Sequence, residues 1–142
     1  MGIRVKIRIL AGRASATTSA LLNSGFESDA PDLCVPLKLA KALGLWPPPA
    51  FISEEVDTAG GTTSIYVLDV ESRVQLLVGE EVRRDIPCNL LVDPHIDEAL
   101  LCDYLIDELG IVPLSFRKGT WRHVDDPPGG CQKERRAAVL VA

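Results

Sequence analysis

No run of about 18 apolar residues occurs in this 142-residue chain, so the sequence offers no membrane span. An excess of positive charge is missing too: 15 Lys and Arg against 20 Asp and Glu leave a formal net charge of −5. Nucleic-acid-binding modules usually carry a basic patch and a basic balance, and this acidic chain is not expected to be one. No C-x-x-C pair is found among Cys34, Cys88, Cys102 and Cys131, and His95 and His123 do not stand at zinc-ligand spacing. Neither a metal nor a cofactor is therefore expected. Buried free thiols are the reading for the first three cysteines, although spacing alone leaves a disulfide open. The opening Met1-Gly2-Ile3-Arg4-Val5-Lys6 sets charges inside its apolar stretch, unlike a signal-peptide core, and a cytoplasmic location is the expectation. No internal repeat is visible.

What is present is a globular composition, 46% hydrophobic and 25% charged, at a length suited to one domain. Ile3, Val5, Ile7 and Ile9 alternate with Arg4, Lys6 and Arg8, the period of a half-buried strand. Gly12-Arg13 is a turn, and Ala16 to Leu22 reads as a second strand running into the polar break Asn23-Ser24-Gly25. Pro36 suits the first turn of a short helix with Leu39, Ala40 and Leu43 on one face and Gly44 as its stop. From Val56 to Val92 the pattern is β, with hairpin tips at Gly60-Gly61 and Gly79-Glu80. A longer helix is expected from about His95 to Leu109, on the four-residue spacing of Leu101, Leu105 and Leu109. A last strand follows near Thr120 to Val124. The expected fold is mainly β, a small closed barrel with one or two short helices. Residues 1–126 form its domain, and 127–142 read as a loose tail that adds little to the core. Within that tail Val139, Leu140 and Val141 are apolar enough to pair with a strand edge or another chain.

Three segments, in order, carry a resemblance. Leu21-Leu22-Asn23-Ser24-Gly25-Phe26-Glu27 has two apolar residues, a polar-Ser-Gly triplet and an acid. Leu39-Ala40-Lys41-Ala42-Leu43-Gly44-Leu45 follows as a helical stretch. Ala99-Leu100-Leu101-Cys102-Asp103-Tyr104-Leu105, with Leu109-Gly110-Ile111, closes the series. Together they resemble the retropepsin-like aspartic proteases over roughly residues 3–125. Two departures stand out. Leu101 occupies a glycine of the second motif, which puts the usual close approach to the catalytic loop in question. Asn23 occupies the place of the catalytic aspartate.

The resemblance implies a two-fold homodimer acting on peptides or unfolded protein, with one aspartate per chain at a shared site. Two carboxylates about 3 Å apart cannot both ionise and share one proton, so one acts as base and the other as acid towards a water. Asparagine keeps the shape and hydrogen-bonding capacity but cannot be the general base. This chain is therefore expected to be an inactive form of an aspartic endopeptidase scaffold, with Asn23, Ser24 and Gly25 at the catalytic position. Asn23 is either a substitution in an active enzyme or a natural replacement; the otherwise intact signature favours the first. The resemblance further implies substrate contacts from Glu27 and from a flap hairpin bearing Thr58, Ala59, Gly60 and Gly61. Each has a plainer reading: Asn23-Ser24-Gly25 as an ordinary turn, Glu27 as a solvated loop acid, residues 56–63 as a surface hairpin. Asp57-Thr58-Ala59 imitates the signature without its glycine and is discounted. Asp29 and Asp32 read as loop and helix-start acids, Asp103 as a structural helix carboxylate, and both histidines as surface residues. The alternative function is a non-catalytic dimerisation or peptide-binding module of the same fold.

Overall fold

The computed structural model describes residues 2–48, 51–58, 61–137 and 140–141. The chain runs through β1 (Arg4–Ala11), β2 (Ala14–Leu22), β3 (Asp32–Pro36), α1 (Leu37–Ala42), β4 (Phe51–Thr58) and β5 (Gly61–Leu68). It continues through β6 (Ser72–Val78), β7 (Glu81–Asp93), β8 (Ala99–Leu101) and α2 (Asp103–Glu108). Last come β9 (Ile111–Ser115), β10 (Thr120–His123), β11 (Gln132–Lys133) and β12 (Leu140–Val141).

The alternation in β1 becomes burial: Ile3, Val5, Ile7 and Ile9 are inaccessible, while Arg4, Lys6 and Arg8 remain partly exposed. Gly12 and Gly79 sit at the tips of the β1–β2 and β6–β7 hairpins with φ of +58° and +61°, which an L side chain rarely adopts. Strands β3, β8, β2, β1, β6 and β7 lie side by side in that order, and β3 then pairs parallel with β7 to close a six-stranded barrel. Closure removes the open edges these strands would otherwise present. The mainly β architecture with two short helices agrees with the sequence reading. The β4–β5 hairpin lies outside the ring and joins it where Tyr66 and Val67 pair with Val92 and Leu91. No helix among the described residues is long and apolar enough to cross a membrane.

Several expectations need correction. The helix expected from His95 is only Asp103–Glu108, and Ala99–Leu101 form a strand instead. Leu105 and Leu109 do share a buried helical face, but Leu101 extends their spacing only by coincidence. It pairs with Leu22 of β2 and Leu33 of β3, so barrel closure overrides helical pattern there. Asp32 begins β3 and not a helix. Leu33-Cys34-Val35 is buried without alternation because the strand has neighbours on both edges and packing on both faces. Val82, near the start of β7, is 42% exposed. A register shift opposite Leu76 and Leu77 inserts one extra residue and reverses which face Val82 takes. β9 was not anticipated, whereas β10 falls where the last strand was expected.

His123 is fully buried, contrary to its reading as a surface residue; His95 is exposed. The His123 Nε2 lies 3.0 Å from the Leu109 carbonyl, and the Asp125 backbone N–H donates to Nδ1 at 3.1 Å. A neutral imidazole with its proton on Nε2 satisfies both contacts. Arg83 approaches the same Nδ1 and donates to Asp126 at 2.9 Å, so β7, β10 and the end of α2 meet at this histidine. Gly110, at φ +77°, passes so close that a Cβ there would lie 2.9 Å from Nε2.

Residues beyond Pro127 contain two short pairings: Gln132–Lys133 lie against β10, and Leu140–Val141 lie against Thr17 and Ala16 of β2. The Ala137 N–H also donates to the Ser19 hydroxyl at 2.9 Å. Leu140 and Val141 thus occupy a strand edge of their own chain. Each such bond contributes about 1 kcal/mol net. Deleting residues 127–142 should therefore lower Tm by about 4–8 °C by calorimetry, for a loss of about 2 kcal/mol. An unchanged Tm would mean that these pairings contribute nothing.

Candidate functional site

β2 ends at Leu22, and the chain turns outward through Asn23, Ser24 and Gly25. The Asn23 backbone N–H donates to the Leu101 carbonyl at 3.1 Å, continuing the parallel β2–β8 pairing by one more bond. The loop then closes on itself: the Phe26 N–H donates to the Asn23 carbonyl at 2.9 Å, and the Gly25 N–H to Asn23 Oδ1 at 3.2 Å. This is an Asx-type turn, in which the side chain imitates a backbone acceptor. A carboxylate at position 23 could accept the same bond.

Gly25 leaves space for the group at 23. Gly25 is not among the glycines with positive φ, but a Cβ added there would lie 3.3 Å from Asn23 Oδ1. A side chain at 25 would crowd the group at 23. Leu101, in place of a motif glycine, does not hold the helix away from the loop. Its side chain points into the core, fully buried, while its carbonyl meets Asn23.

A polar scaffold fixes the rest of the loop. Asp103 Oδ1 accepts from the Ser28 N–H at 2.9 Å and from the Tyr104 N–H at 2.8 Å, and the Asp103 N–H donates to the Phe26 carbonyl at 3.0 Å. The Ser28 hydroxyl donates to Asp32 Oδ2, and Asn89 donates to Asp32 Oδ1 at 3.0 Å. Cys102, the N-cap of α2, accepts from the Leu105 N–H and donates to the Ala30 carbonyl, each at 3.5 Å. Asp103 is thus structural, as expected, but it acts on the loop as well as on its own helix. Asp32 and Asn89 were missed as supports. Nothing in a strand sequence marks which polar residue will face a loop from another strand.

An apolar contact does the same from the other side. Phe26 packs against a small cluster containing Cys34, Ile65 and Leu91, with Val67 and Leu100 beside it. Ile65 and Val67 belong to β5, so the base of the β4–β5 hairpin is held next to the loop that carries Asn23. Thr58 and Gly61 form the last pair of that hairpin; Ala59 and Gly60 lie outside the described residues. Asn23 is partly buried, whereas Ser24, Gly25 and Glu27 are exposed. Ser24 also borders an apolar cleft between α2 and β9. Among the described residues no three of His, Cys, Asp and Glu come together to hold a metal ion. Neither a protein-family model nor a curated protein matches the chain.

All four cysteines are free thiols, and Cys34, Cys88 and Cys102 are buried while Cys131 is exposed. Burial pushes the Cys34 thiol up to about 12, with Asp93 and Asp32 adding to the shift. Burial raises Cys88 to about 12 as well, against the opposing charge of Arg73, and it also raises Cys102. A thiol protonated at neutral pH is a poor nucleophile. A thiol-specific disulfide reagent at neutral pH should therefore titrate one cysteine in the native protein and four after unfolding; fast reaction of a second would contradict this packing. The loop scaffold has its own test. Asp103→Ala removes a charged acceptor from two backbone donors and should cost about 1.5–3 kcal/mol in urea unfolding. Asp103→Asn, which keeps an acceptor, should recover part of that. A loss below about 0.5 kcal/mol would show that water replaces the carboxylate without cost.

Proposed function

We propose that this chain is an aspartic endopeptidase scaffold of the retropepsin type, which functions as a two-fold homodimer and is inactive as long as Asn23 holds the catalytic position. The observation that carries the reading is the Asn23-Ser24-Gly25 loop, bonded through Asn23 N–H to the Leu101 carbonyl and flanked by a hairpin anchored through Phe26. This arrangement brings two of the three resembling segments into direct contact, and the third forms α1 at the end of β3. Peptides in extended form are the substrate class, held between the loops and the β4–β5 hairpins with Glu27 on the same exposed surface. Lids of this kind exclude water and complete a site.

In such a dimer with aspartate at position 23, the ionised carboxyl takes a proton from water while the other protonates the peptide carbonyl oxygen. Oxygen attacks carbon to give a gem-diol. Its collapse breaks the C–N bond, with the proton passing to the leaving amine. Two asparagine amides can hold a water or a peptide carbonyl, but they cannot accept the proton.

Asn23 also supports the second reading, a dimeric module that holds peptides without cutting them, because the amide keeps the loop's Gly25 bond and its donor and acceptor capacity. Asn23→Asp separates the two. In a mixed pool of unstructured peptides assayed from about pH 3 to about pH 7, the peptidase reading expects cleavage at least about 100-fold above the Asn23 protein. The profile should be bell-shaped, because activity needs one carboxyl ionised and one protonated, and its limits belong to the pair. A hydroxyl-bearing transition-state mimic should bind this variant more tightly than the parent. If the dimeric variant cleaves nothing across that range, the binding module is the better account.

A further inference from the structure

The first half of β2 has one barrel strand beside it and not two. β1 pairs with β2 along nearly its whole length, but β8 reaches it only at Ala20, Leu21 and Leu22. From Ala14 to Ser19 the other edge is met by the chain's own last residues. Leu140 and Val141 pair antiparallel with Thr17 and Ala16, and the Ala137 N–H donates to the Ser19 hydroxyl. An edge strand is a template for a further strand, and a covering segment is one way to blunt it. This cover is lightly seated. Among the described residues none beyond Trp121 belongs to either apolar cluster. Space remains on both sides of Ala137: a cleft of about 270 Å³ towards Lys6, Gly79 and Glu134, and one of about 60 Å³ towards Lys38, Asp97 and Glu98. Thr18 and Ser19 border both, and both are polar and roomy enough for water. Charge positions the segment. Arg136 donates to the Asp97 carbonyl at 3.1 Å and lies 3.2 Å from the Asp97 carboxylate and 3.8 Å from that of Glu98. Arg136 and Asp97 are 45% and 78% exposed, and pairs so exposed hold weakly. A segment with few buried apolar contacts opens before the barrel beneath it.

We propose that the Ala14–Ser19 edge of β2 is a docking site for an extended segment of another polypeptide, and that residues 136–141 are the strap that closes it. The strap itself shows what the edge accepts: an extended backbone, a cation to meet Asp97 and Glu98, and an apolar pair that follows as Leu140-Val141 follow Arg136. Charge selects among such segments. Glu98 keeps Arg4 when the strap leaves, but Asp97 loses the cation that pairs with it, so a basic segment fits and an acidic one is repelled. Strand addition draws affinity from main-chain hydrogen bonds and specificity from alternate side chains. The strap scales the apparent affinity down by the fraction of molecules in which the edge is open. None of the loop residues from Asn23 to Glu27 takes part, so the site stands whether or not a peptide is cut there.

The test uses the full chain and a fluorescent peptide with the sequence of residues 134–142, followed by anisotropy. Arg136→Glu in the chain sets a third carboxylate against Asp97 and Glu98, opens the strap, and should tighten peptide binding at least about 10-fold over the parent. Ala137→Pro, which removes the N–H donated to Ser19, should act in the same direction. A scrambled peptide of the same composition should bind the opened chain at least about 10-fold more weakly than the ordered one. Bound peptide should slow amide exchange across residues 14–19 and leave the Asn23 loop unchanged. Both variants should melt no lower than the chain lacking residues 127–142, which shows the barrel intact. The inference is overturned if neither variant gains affinity, if the scrambled peptide binds equally well, or if protection appears on the β4–β5 hairpin instead. Opened variants that ignore the peptide and assemble with themselves also overturn it, since the occupant would then be another copy's tail.

Discussion

The parallel pairing of β2 with β8 is the constraint on which the rest of the molecule depends. A parallel pair cannot be made by a hairpin; it needs a long crossover between its strands. Here the crossover contains β3 to β7, and the barrel closes only because β8 returns between β2 and β3. The cost of bringing such distant residues together is entropic and rises slowly with the length of chain between them. What offsets it is burial: Leu33, Leu90 and Leu101 are fully inaccessible in the closed ring. The Asn23 loop hangs from the same junction. A change that loosens β8 would therefore disturb the candidate site before it reached the outer hairpins.

Side chains reinforce that junction at both ends. At the start of β8, Arg4 donates to both carboxylate oxygens of Glu98, at 2.8 and 3.1 Å, and so ties β1 to the residue preceding Ala99. At its end, Cys102 and Asp103 bind the loop through Ala30, Phe26 and Ser28. Two-oxygen pairing of arginine with a carboxylate fixes direction as well as distance. These bonds do not involve Asn23 Nδ2, the atom in which Asn23 differs from aspartate. Loss of an ionisable group at position 23 is for that reason compatible with an intact loop.

The sequence was most informative where a pattern had only one physical reading. Ile3 to Ile9 alternate because one face of β1 meets the core, and the two-residue tips at Gly12 and Gly79 need a residue tolerant of positive φ. It was least informative where tertiary contacts set the conformation. Leu33-Cys34-Val35 is too short and too uniformly apolar to distinguish strand from helix. Ala99-Leu100-Leu101 has a helix-like spacing that is overruled by neighbours on both edges. His123 was misjudged because burial of a lone histidine depends on partners, the Leu109 carbonyl and the Asp125 N–H, that no local pattern reveals. At the site, the order of the three resembling segments was legible, and so was the loop at Asn23. Asp32, Asn89 and the Phe26 cluster were not, since each acts across strands.

Asn23 itself sharpens the meaning of the surrounding geometry. The Gly25 N–H donates to Asn23 Oδ1 at 3.2 Å, as in an ordinary Asx-type turn, and a carboxylate oxygen could accept the same bond. That bond holds the side chain at position 23 in one orientation. Orientation matters when a side chain must meet something beyond its own loop, whether a water, a peptide carbonyl or the same residue of a second copy. Both proposed functions share this requirement, and they differ only in whether the group can accept a proton. Under either proposal the scaffold is the same, and the chemistry at position 23 would select between cutting a peptide and holding it.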